Sequence, residues 1–430
     1  MIGVGIIGLG TVGIGTYKIL REHKSLIKQR TGIDIEVVRI ADIDIGRDRG
    51  IPLEKDLLTR DAREVIQDDR VDMVVELMGG LDPAHNYITE ALNRKKWVVT
   101  ANKALLAERG AEIFSIAKKE GCEVGFEASV CGGIPVIGAI RNSLVGNRLS
   151  RILGILNGTC NYILTQMTDE GISFGEALKQ AQDSGFAEKD PTLDIEGIDA
   201  AHKLCILIRL AFHYPVAMED ITTAGISKIE PIDIQFAREF GYRIKLLGTG
   251  REENGLIEAR VGPAMIPLAH PMSNVGGVFN AAYVIGDKVG PTLYYGRGAG
   301  SDPTGSAVVS DIVDMAQRLK AGTPRLVMPL CAGDRRMRTS EESSFPCYMR
   351  FTVEDRPGVL SRISGILAES DISISSVIQK EGKKESGHVS LVILTHEAVE
   401  KNLKKARAEI DMLPFIKGES IHIGIEEGNS

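Results

Sequence analysis

The chain begins with an apolar strand, a glycine-rich turn and a helix in immediate succession. Residues 4–7 are predicted to form a buried strand, and a helical pattern covers residues 12–28. Between them lies a GxGxxG motif, whose glycines permit a tight turn, the approach of a pyrophosphate and close packing of the helix on the strand. The start of the helix also favours an anion. The motif therefore predicts a dinucleotide-binding domain whose cofactor contacts Gly8, Gly10, Thr11, Val12 and Gly13.

Apolar strands and helical patterns continue to alternate after this motif. The predicted strands cover residues 35–41, 71–77, 97–100 and 122–127, and the predicted helices cover residues 62–69, 83–94 and 105–119. This alternation predicts an α/β fold with a doubly wound parallel sheet, in which ligands bind beyond the carboxyl ends of the strands. Residues 100–103 and the segment 127–134 both lie at such ends, so they are candidate binding residues.

Asp42 is a candidate partner of the adenosine ribose. It ends the second predicted strand, 29 positions after Gly13, which is a longer interval than usual because the first predicted helix is long. An acid at this position accepts hydrogen bonds from the ribose and disfavours a 2′-phosphate. Asp42 fits an ordinary turn after a strand almost as well, and Arg39, Arg47 and Arg49 are close to it in sequence. The cofactor therefore stays open between NAD and NADP.

An acid-rich stretch over residues 188–203 precedes an almost wholly apolar helix at residues 204–208. Within it, Asp199 and Lys203 are four positions apart and lie on one face of a helix. An exposed pair of this spacing would contribute only about 0.3–0.5 kcal/mol. A buried lysine needs a partner or a purpose, and a lysine held by a carboxylate is a candidate proton donor to an alcohol or carbonyl oxygen. The stretch alone leaves both explanations open.

Four motifs follow one another at consistent spacing: Thr100-Ala101-Asn102-Lys103-Ala104-Leu105, Gly132-Gly133-Ile134-Pro135, Asn157-Gly158-Thr159-Cys160-Asn161-Tyr162-Ile163-Leu164 and the stretch 188–203. Together they resemble the homoserine dehydrogenase family over residues 1–320. The resemblance implies a reversible NAD(P)-dependent reduction of L-aspartate 4-semialdehyde to L-homoserine, in threonine, methionine and isoleucine biosynthesis. A rival hypothesis is an amino-acid sensor with a degenerate dehydrogenase body, but the intact motif residues argue against it.

The resemblance also implies catalytic and substrate-binding roles for individual residues. The lysine that matches Lys203 donates or accepts the proton, and the lysine that matches Lys103 lies at the nicotinamide and the substrate. The acid that matches Asp199 orients the substrate or the lysine. The acids that match Glu188 and Asp194 bind the substrate or lie near it, Glu188 through the substrate ammonium. These roles agree with the chemistry of a zwitterionic alcohol, whose ammonium favours carboxylates.

Two further segments are expected to bind the substrate carboxylate and the nicotinamide end of the cofactor. Asn157, Gly158 and Thr159 precede a predicted helix at residues 161–167, whose amide end suits the substrate carboxylate, although Asn157 alone would be interpreted as a simple N-cap. A glycine-rich loop precedes another predicted helix at residues 306–319, and the resemblance implies that Gly300 in this loop touches the nicotinamide end. A flexible connector explains its glycines equally well. Thr100 and Lys103 complete the expected cofactor residues.

The segment 127–134 resembles a monovalent-cation site of the same family. The resemblance implies that oxygens of the residues matching Glu127, Val130, Gly132 and Ile134 bind sodium, and such oxygen-only ligation suits a hard cation. Without the resemblance, a glycine turn would explain the segment. Cys131 lacks a histidine base nearby in sequence and is not expected to act as a nucleophile.

The last part of the chain has a different period, after a predicted linker. Its strands and helices follow the order βαββαβ, which is ferredoxin-like, and its turn Asp355-Arg356-Pro357-Gly358-Val359-Leu360 resembles the ACT domains that bind amino acids. Asp355, Gly358, Val359 and Leu360 are therefore candidate effector residues, with threonine as the expected effector. Deleting residues 340–430 is expected to leave an active, threonine-insensitive enzyme. Contacts within an oligomer are the alternative explanation for this domain.

These observations predict four segments and a homodimer or homotetramer. A Rossmann domain covers residues 1–134 and is completed by residues 304–322, an α+β substrate and dimerisation domain covers 135–303, a linker covers 323–346, and the ACT domain covers 347–427. The net charge of −7 argues against a nucleic-acid partner. Scattered cysteines, the absence of an N-terminal leader pattern and the absence of a membrane-length apolar run predict a cytoplasmic protein.

Overall fold

The computed structural model of the protein describes residues 1–325, 330–379 and 387–426. The chain divides into two compact units, each assembled from three stretches. Unit 1 contains Met1–Gly158, Asp199–Ile221 and Val278–Asp334, and unit 2 contains Thr159–Ile198, Thr222–Gly277 and Arg335–Ser430. Secondary-structure elements are numbered in chain order through both units.

Unit 1 contains a six-stranded, wholly parallel sheet with the strand order β3-β2-β1-β4-β5-β6. The strands are β1 Ile2–Ile7, β2 Ile35–Ala41, β3 Leu58–Thr59, β4 Met73–Glu76, β5 Trp97–Thr100 and β6 Val124–Gly125. All residues of β1, β4 and β5 are buried, as expected for strands covered on both faces. The strand order reverses between β1 and β4, where a doubly wound sheet binds its ligand.

Seven helices of the described part of unit 1 pack against this sheet or follow its last strand. They are α1 Thr11–Glu22, α2 Lys24–Thr31, α3 Ala62–Gln67, α4 Asp82–Asn93, α5 Lys103–Glu120, the short α6 Val136–Gly138 and α12 Ser301–Ala321. Residues of α12 such as Val308 and Ile312 belong to the same apolar core as β1 and β4. The late helix α12 therefore completes the nucleotide-binding fold, although it follows β6 by about 175 residues in sequence.

An antiparallel group of strands and one central helix complete unit 1. Its strands are β7 Leu149–Ile155, β11 Phe279–Gly286 and β12 Gly290–Arg297, and β11 pairs with both of the others. Helix α10, Ile198–Phe212, is buried along most of its length. Residues Leu204–Ile208 are all fully or nearly fully buried, which agrees with their apolar sequence.

Unit 2 is organised around a long hairpin. Its strands β9 Tyr242–Glu253 and β10 Leu256–Pro267 pair over twelve residues each. The short strands β8 Thr222–Thr223 and β13 Arg336–Met337 pair in parallel with β10. The helices of this part are α7 Gly158–Glu170, α8 Phe174–Asp183, α9 Thr192–Ile195 and α11 Pro231–Glu239.

The C-terminal part of unit 2 has the ferredoxin-like order. Its elements are β15 Cys347–Glu354, α13 Val359–Glu369, β16 Ile374–Gln379, β17 His388–Thr395, α14 Glu400–Asp411 and β19 Ile421–Ile425, with the small pair β14 Ser344–Phe345 and β18 Ala398–Val399 beside them. The strand order is β19-β15-β17-β16. Strand β19 also pairs in parallel with β10, Ala264 opposite Gly424, so the hairpin and this fold share one sheet.

The predicted fold class is confirmed, and the differences lie in individual elements. The first predicted helix is two helices, since α1 ends before His23 and α2 begins after it. The helix predicted at residues 306–319 begins five residues earlier, at Ser301. Parts of the predicted linker (326–329), the end of the strand predicted at 372–380 and residue 427 lie outside the described residues. Within the described residues, no helix is both long and apolar enough to span a membrane.

Candidate active site

The glycine-rich turn between β1 and α1 is tight at its ends and open at its centre. A Cβ atom on Gly8, which has a φ of 97°, would lie 2.7 Å from the carbonyl carbon of Leu77. A Cβ on Gly13 would lie 2.2 Å from the oxygen of Gly8, whereas a Cβ on Gly10 would meet nothing within 4 Å. Gly10 immediately precedes α1, so this open space adjoins a helix N-terminus, where an anion is stabilised. The residues present therefore fit the pyrophosphate of a dinucleotide.

Gly300 lies beside the start of helix α1. It precedes α12 with a φ of 124°, and the hydroxyl of the next residue, Ser301, donates a hydrogen bond of 2.8 Å to the carbonyl oxygen of Thr11. A Cβ on Gly15 would lie 2.1 Å from the oxygen of Ser301, so the first turns of α1 and α12 approach closely. Gly300, Thr11 and the adjacent Val12 are thus brought together, as expected if they contact one cofactor.

Asp42 is bound by the protein itself at the end of β2. Its Oδ2 accepts a hydrogen bond of 2.7 Å from the amide of Leu9, and its Oδ1 accepts one of 2.9 Å from Nη2 of Arg49. The Arg49 side chain is 2% exposed and also donates to the carbonyl oxygen of Leu9. Arg39 pairs with Glu64 instead. The candidate ribose acceptor therefore carries a buried arginine partner, which the sequence analysis considered only as a neighbour.

Glu76 is a site residue that the sequence analysis missed. It is fully buried at the end of β4, where its Oε2 accepts a hydrogen bond of 2.7 Å from the Thr100 hydroxyl. Its Oε1 accepts hydrogen bonds from the amides of Met78 and Gly79, and burial raises its pKa. Glu76 thus ties together the ends of β4 and β5, just before α5 begins at Lys103. The available signal was an acid that ends an apolar strand before two glycines.

The centre of the site in unit 1 is a carboxylate between two lysines. Nζ of Lys203 lies 2.7 Å from Oδ2 of Asp199, and Nζ of Lys103 lies 2.8 Å from Oδ1 of the same residue. Lys203 also donates a hydrogen bond of 2.7 Å to the carbonyl oxygen of Leu156 at the end of β7. Asp199 and Lys203 are 7% and 8% exposed, whereas the Lys103 side chain is 41% exposed. The exposed-pair explanation for Asp199 and Lys203 is therefore excluded.

The two lysines determine the ionisation of Asp199. Burial by itself raises the pKa of this carboxyl, because a charge is costly away from water. The nearby charges of Lys203 and Lys103 and their hydrogen bonds outweigh this effect and hold the pKa well below its usual range. Asp199 is therefore a carboxylate at neutral pH, and it orients both ammonium groups.

Asn157 belongs to the same cluster. Its Nδ2 donates a hydrogen bond of 2.9 Å to Oδ2 of Asp199, and α7 begins at the next residue, Gly158. A Cβ on Gly158 would lie 2.8 Å from the carbonyl oxygen of Val278, so a larger residue would displace this turn. The helix predicted at residues 161–167 is longer at both ends, and its amide end adjoins Asn157.

The other expected substrate residues belong to unit 2. Glu188 is exposed, and its carbonyl oxygen accepts a hydrogen bond from the Gln182 side chain. Asp194 lies in α9 and is half-buried, and its carbonyl oxygen is 3.1 Å from Sγ of Cys160. The hydroxyl of Thr159 donates to the carbonyl oxygen of Phe186. Their roles toward a substrate stay predictions.

The segment 127–134 forms a buried, sharply turned main chain. Cys131 and Gly132 have left-handed φ values of 57° and 54°. The Glu127 carboxylate accepts hydrogen bonds from the amides of Ile137 and Gly138, so its side chain caps a helix start. Among the described residues, no group of three or more His, Cys, Asp or Glu side chains could hold a metal ion. A cation here would therefore depend on main-chain oxygens, such as those of Val130, Gly132 and Ile134.

Cys131 itself is unsuited to nucleophilic chemistry. It is fully buried, and burial raises the pKa of its thiol to about 12. Almost no thiolate exists at neutral pH under these conditions, and the thiolate is the reactive form. This agrees with the expectation from the sequence that Cys131 is not a nucleophile.

The candidate effector turn lies between β15 and α13. Gly358 precedes α13 with a φ of 92°, Val359 is buried, and Leu360 is 41% exposed. Asp355 is exposed, and its Oδ1 is 3.3 Å from Nε2 of Gln379 on β16. The turn therefore presents one acid and one apolar side chain beside a helix N-terminus.

Three sequence profiles match the chain in consecutive segments. A profile described as "Homoserine dehydrogenase, NAD binding domain" matches residues 8–127, and one described as "Homoserine dehydrogenase" matches residues 135–313. A profile described as "ACT domain" matches residues 348–412. The first segment contains the glycine-rich turn and Lys103, the second contains Asp199 and Lys203, and the third contains the candidate effector turn.

Similar proteins cover nearly the whole chain. A homoserine dehydrogenase from Helicobacter pylori is 45% identical over 420 residues, covering 96% of this chain and 96% of that protein. One from Pseudomonas aeruginosa is 42% identical over 437 residues, covering 99% of each. The crystal structure of a homoserine dehydrogenase from Thiobacillus denitrificans is 45% identical, has a TM-score of 0.92 and covers 99% of this chain and 98% of that chain.

Proposed function

This chain belongs to the homoserine dehydrogenase family, and from that premise we propose how its own residues perform the reaction. The enzyme interconverts L-aspartate 4-semialdehyde and L-homoserine with a nicotinamide cofactor. The cofactor, when bound, supplies or accepts the hydride. The protein must then deliver a proton to the carbonyl oxygen and hold a zwitterionic substrate.

In this proposal Lys203 transfers the proton to and from the substrate oxygen. The observation that carries the proposal is its position: a buried ammonium bonded to Asp199 and to the carbonyl oxygen of Leu156. A lysine held in this way has a defined direction, and a positioned acid contributes about 10²–10⁴-fold to rate. Lys103, which reaches the other oxygen of Asp199 and is partly exposed, stabilises the negative charge that develops on the substrate oxygen.

Substrate binding is proposed to use the opposite charges of a zwitterion. Glu188 and Asp194 bind or surround the substrate ammonium, and the amide end of α7 at Asn157, Gly158 and Thr159 holds its carboxylate.

The direct test of the activity is the absorbance of the reduced nicotinamide during reduction of aspartate 4-semialdehyde. Absence of turnover with both NADH and NADPH would overturn the proposal.

For the cofactor we propose that NAD is used at least as well as NADP. Asp42 directly follows β2, and an acidic side chain at this position suits a ribose with free hydroxyls. The guanidinium of Arg49 is already engaged by Asp42 Oδ1 and by the carbonyl oxygens of Leu9, Asp44 and Arg47, so few of its donors are available to a 2′-phosphate. A large NADP preference would contradict this argument.

We also propose that main-chain oxygens of the segment 127–134 bind sodium. The consecutive left-handed residues Cys131 and Gly132 turn the chain sharply, which supports a concave group of carbonyl oxygens. The test is the rate in sodium, potassium and choline chloride at equal ionic strength. Equal rates in all three salts would remove the cation from the proposal.

The effector proposal is that threonine binds at the turn 355–360 and inhibits the enzyme. An exposed carboxylate, Asp355, suits an amino-acid ammonium, and the amide end of α13 suits its carboxylate. Inhibition requires that threonine bind two conformations unequally, with a coupling of about 1–3 kcal/mol. The expected result is inhibition of the intact enzyme that is lost in Asp355→Ala and kept in Glu397→Ala, an exposed control acid between β17 and β18.

The structure favours such point variants over deletion of residues 340–430. Asp233 on α11 is fully buried, and it accepts hydrogen bonds from the hydroxyl of Tyr348 and the guanidinium of Arg350 on β15. A deletion would remove both partners and the strand β19 that pairs with β10. Loss of activity in the truncated chain would then report folding rather than regulation.

We propose that the enzyme is a homodimer or homotetramer that associates through the β12 edge. In the group β7-β11-β12, strand β12 has alternating exposed residues, among them Leu293 and Tyr295 at 39% and 55%. An edge strand with exposed apolar side chains is suited to pairing with another chain. Light scattering of the purified protein tests the state, and a monomer at micromolar concentration would contradict it.

A further inference from the structure

Asn280 is a buried polar side chain at the start of β11, and it shares an acceptor with Lys203. It is 1% exposed, and its Nδ2 donates a hydrogen bond of 3.0 Å to the carbonyl oxygen of Leu156. The same oxygen accepts the hydrogen bond of 2.7 Å from Nζ of Lys203. A carbonyl oxygen has two lone pairs, so these two donors together satisfy it. Asn280 therefore determines where the lysine finds its acceptor.

The main chain at Gly298 packs closely against the Asn280 amide. A Cβ atom added to Gly298 would lie 2.1 Å from Cγ of Asn280, so the loop before α12 passes directly against the amide. A Cβ added to Gly158 would lie 3.5 Å from Oδ1. The loop at Gly298 therefore restricts the space into which the amide could turn. Its donor is consequently fixed on the Leu156 carbonyl.

Stability does not explain an asparagine at this position. Its Oδ1 is buried and has no hydrogen-bond partner among the described residues. An unpaired buried acceptor is destabilising, whereas an apolar side chain of similar shape would avoid this cost. The useful feature of Asn280 is therefore its donor, which lies on the carbonyl beside Lys203.

We propose that Asn280 is a positioning residue for proton transfer: it fixes the Leu156 carbonyl and, through it, the direction of the Lys203 ammonium. An ammonium has three N–H bonds. Leu156 and Asp199 each accept one of these bonds, so the position of the Leu156 carbonyl affects how the whole ammonium group is oriented. This inference rests on the proposed role of Lys203, because positioning matters only if that ammonium exchanges a proton with the substrate.

The first test removes the donor with little change of shape. Asn280→Asp cannot donate to Leu156 when ionised, and it adds a negative charge near Lys203. We expect kcat to fall between about 10-fold and 10²-fold, because small misplacements of a reacting group have effects of this size. We also expect the kcat–pH profile to move to higher pH, since the added charge favours the ammonium form. The KM for the cofactor should change less than twofold.

A second test moves Asn280 without replacing it. Gly298→Ala adds the Cβ that would collide with the Asn280 amide, so it should lower kcat as Asn280→Ala does. In the double variant the collision is absent, and the second substitution should add less than a twofold further loss. Independent losses that multiply would show that the two residues do not act through this contact.

The control is an asparagine with a structural role in the same unit. The Asn147 side chain accepts hydrogen bonds from the amides of Lys288 and Val289 in the turn before β12. Asn147→Ala should lower the melting temperature and leave the pH profile unchanged. If folded Asn280→Asp and Asn280→Ala keep the normal kcat and pH profile, the inference is wrong. If Lys203→Met keeps normal kcat, the proposed role of Lys203 fails first, and the two failures are thereby distinguished.

Discussion

Each of the two units contains a buried carboxylate that lies between two cations, but the cations differ in kind. In unit 1, Asp199 lies between Lys103 and Lys203. In unit 2, Glu426, which follows β19 and is 2% exposed, lies between Arg251 of β9 and Arg260 of β10 at 2.6 and 3.0 Å. Each cluster combines one carboxylate with two positive side chains, but the two clusters lie in different parts of the fold.

The difference separates a reactive cluster from a structural one. Lysine is a compact point charge that can lose its proton near a neighbour, whereas arginine keeps its charge and bonds carboxylates through a planar fork. The unit 1 cluster lies at the end of β7 beside the candidate ligand sites, as proton transfer requires. The unit 2 cluster joins the hairpin to the ACT-like fold, and permanent charge is an advantage there. The type of cation thus indicates what each cluster does.

The largest expected effect is loss of turnover when the unit 1 lysines are replaced. Lys203→Met and Lys103→Met should each lower kcat by about 10²-fold or more, because Lys203 transfers the proton and Lys103 stabilises the developing charge, and neither role replaces the other. Lys203→Arg should also be impaired, since arginine keeps the charge but does not exchange its proton. Steady-state kinetics and circular dichroism measure rate and folding. Near-normal kcat in Lys203→Met would remove it from the proton-transfer role.

The matching change in unit 2 should affect stability and not rate. Glu426→Gln leaves Arg251 and Arg260 without their carboxylate and should lower the free energy of unfolding by about 3 kcal/mol. Urea unfolding at pH 7 measures this change, and kcat at 25 °C should stay normal. The control is Glu419→Gln, which breaks the exposed pair with Lys228 and should cost less than about 1 kcal/mol. A similar small cost for both variants would show that the buried cluster is not a clamp.

A further buried lysine, Lys245, differs from the cations of both clusters because it forms no ion pair among the described residues. It lies on β9, is 2% exposed, and donates to Oδ1 of Asn161 and to the carbonyl oxygen of Val275. Burial lowers its pKa from 10.5 to about 7. Between pH 7 and 10.5 the unfolded chain binds the proton and the folded chain does not, so this residue makes stability rise with pH.

Because Lys245 makes stability rise with pH, replacing it should flatten the pH dependence of stability. From pH 7 to pH 10, the unfolding free energy of the natural protein should rise by on the order of 3 kcal/mol relative to that of Lys245→Met. Below about pH 6 the difference between the two proteins should be constant, because Lys245 is then protonated in both states. Chemical denaturation at a series of pH values gives both curves. Parallel curves over the whole range would show that Lys245 keeps an ordinary pKa.

The smallest expected effect concerns the single acid–arginine pair at the cofactor end. With Asp42 paired to Arg49, kcat/KM with NAD should equal or exceed kcat/KM with NADP. Asp42→Asn should shift the ratio toward NADP by no more than about tenfold, since the change removes one charge and keeps the shape. A strong NADP preference in the natural protein that disappears in Arg49→Met would show that the arginine, not the acid, selects the cofactor.

The sequence alone predicted those parts of the fold and of the site that depend on residues close together in the chain. The glycine-rich turn predicted β1, α1 and the dinucleotide fold because tight turns and helix starts depend on neighbouring residues. Lys203 and Asp199 were found because a spacing of four positions already places them on one face of a helix. Lys103 was identified by the family resemblance. That lysine and Asp199 meet across 96 positions, which no local pattern reveals.

What the sequence did not reveal depends on contacts between distant segments. Glu76 and Asn280 look like ordinary residues of apolar strands, and their importance follows only from their partners Thr100 and Leu156. The pairing of Asp42 with Arg49 was equally invisible, although both residues were considered. Burial decided the role of Lys203, and burial is a property of the whole fold.

The parallel pairing of β19 with β10 has a consequence for the synthesis of the chain. Strand β10 ends at Pro267, whereas β19 begins only at Ile421, 154 residues later in the chain. At about 5–20 residues per second, the partner edge at Ala264 and Met265 waits on the order of ten seconds for its strand. An open edge is prone to wrong pairing during this interval. Nascent chains stalled before residue 421 should therefore bind chaperones more strongly than chains that already contain β19.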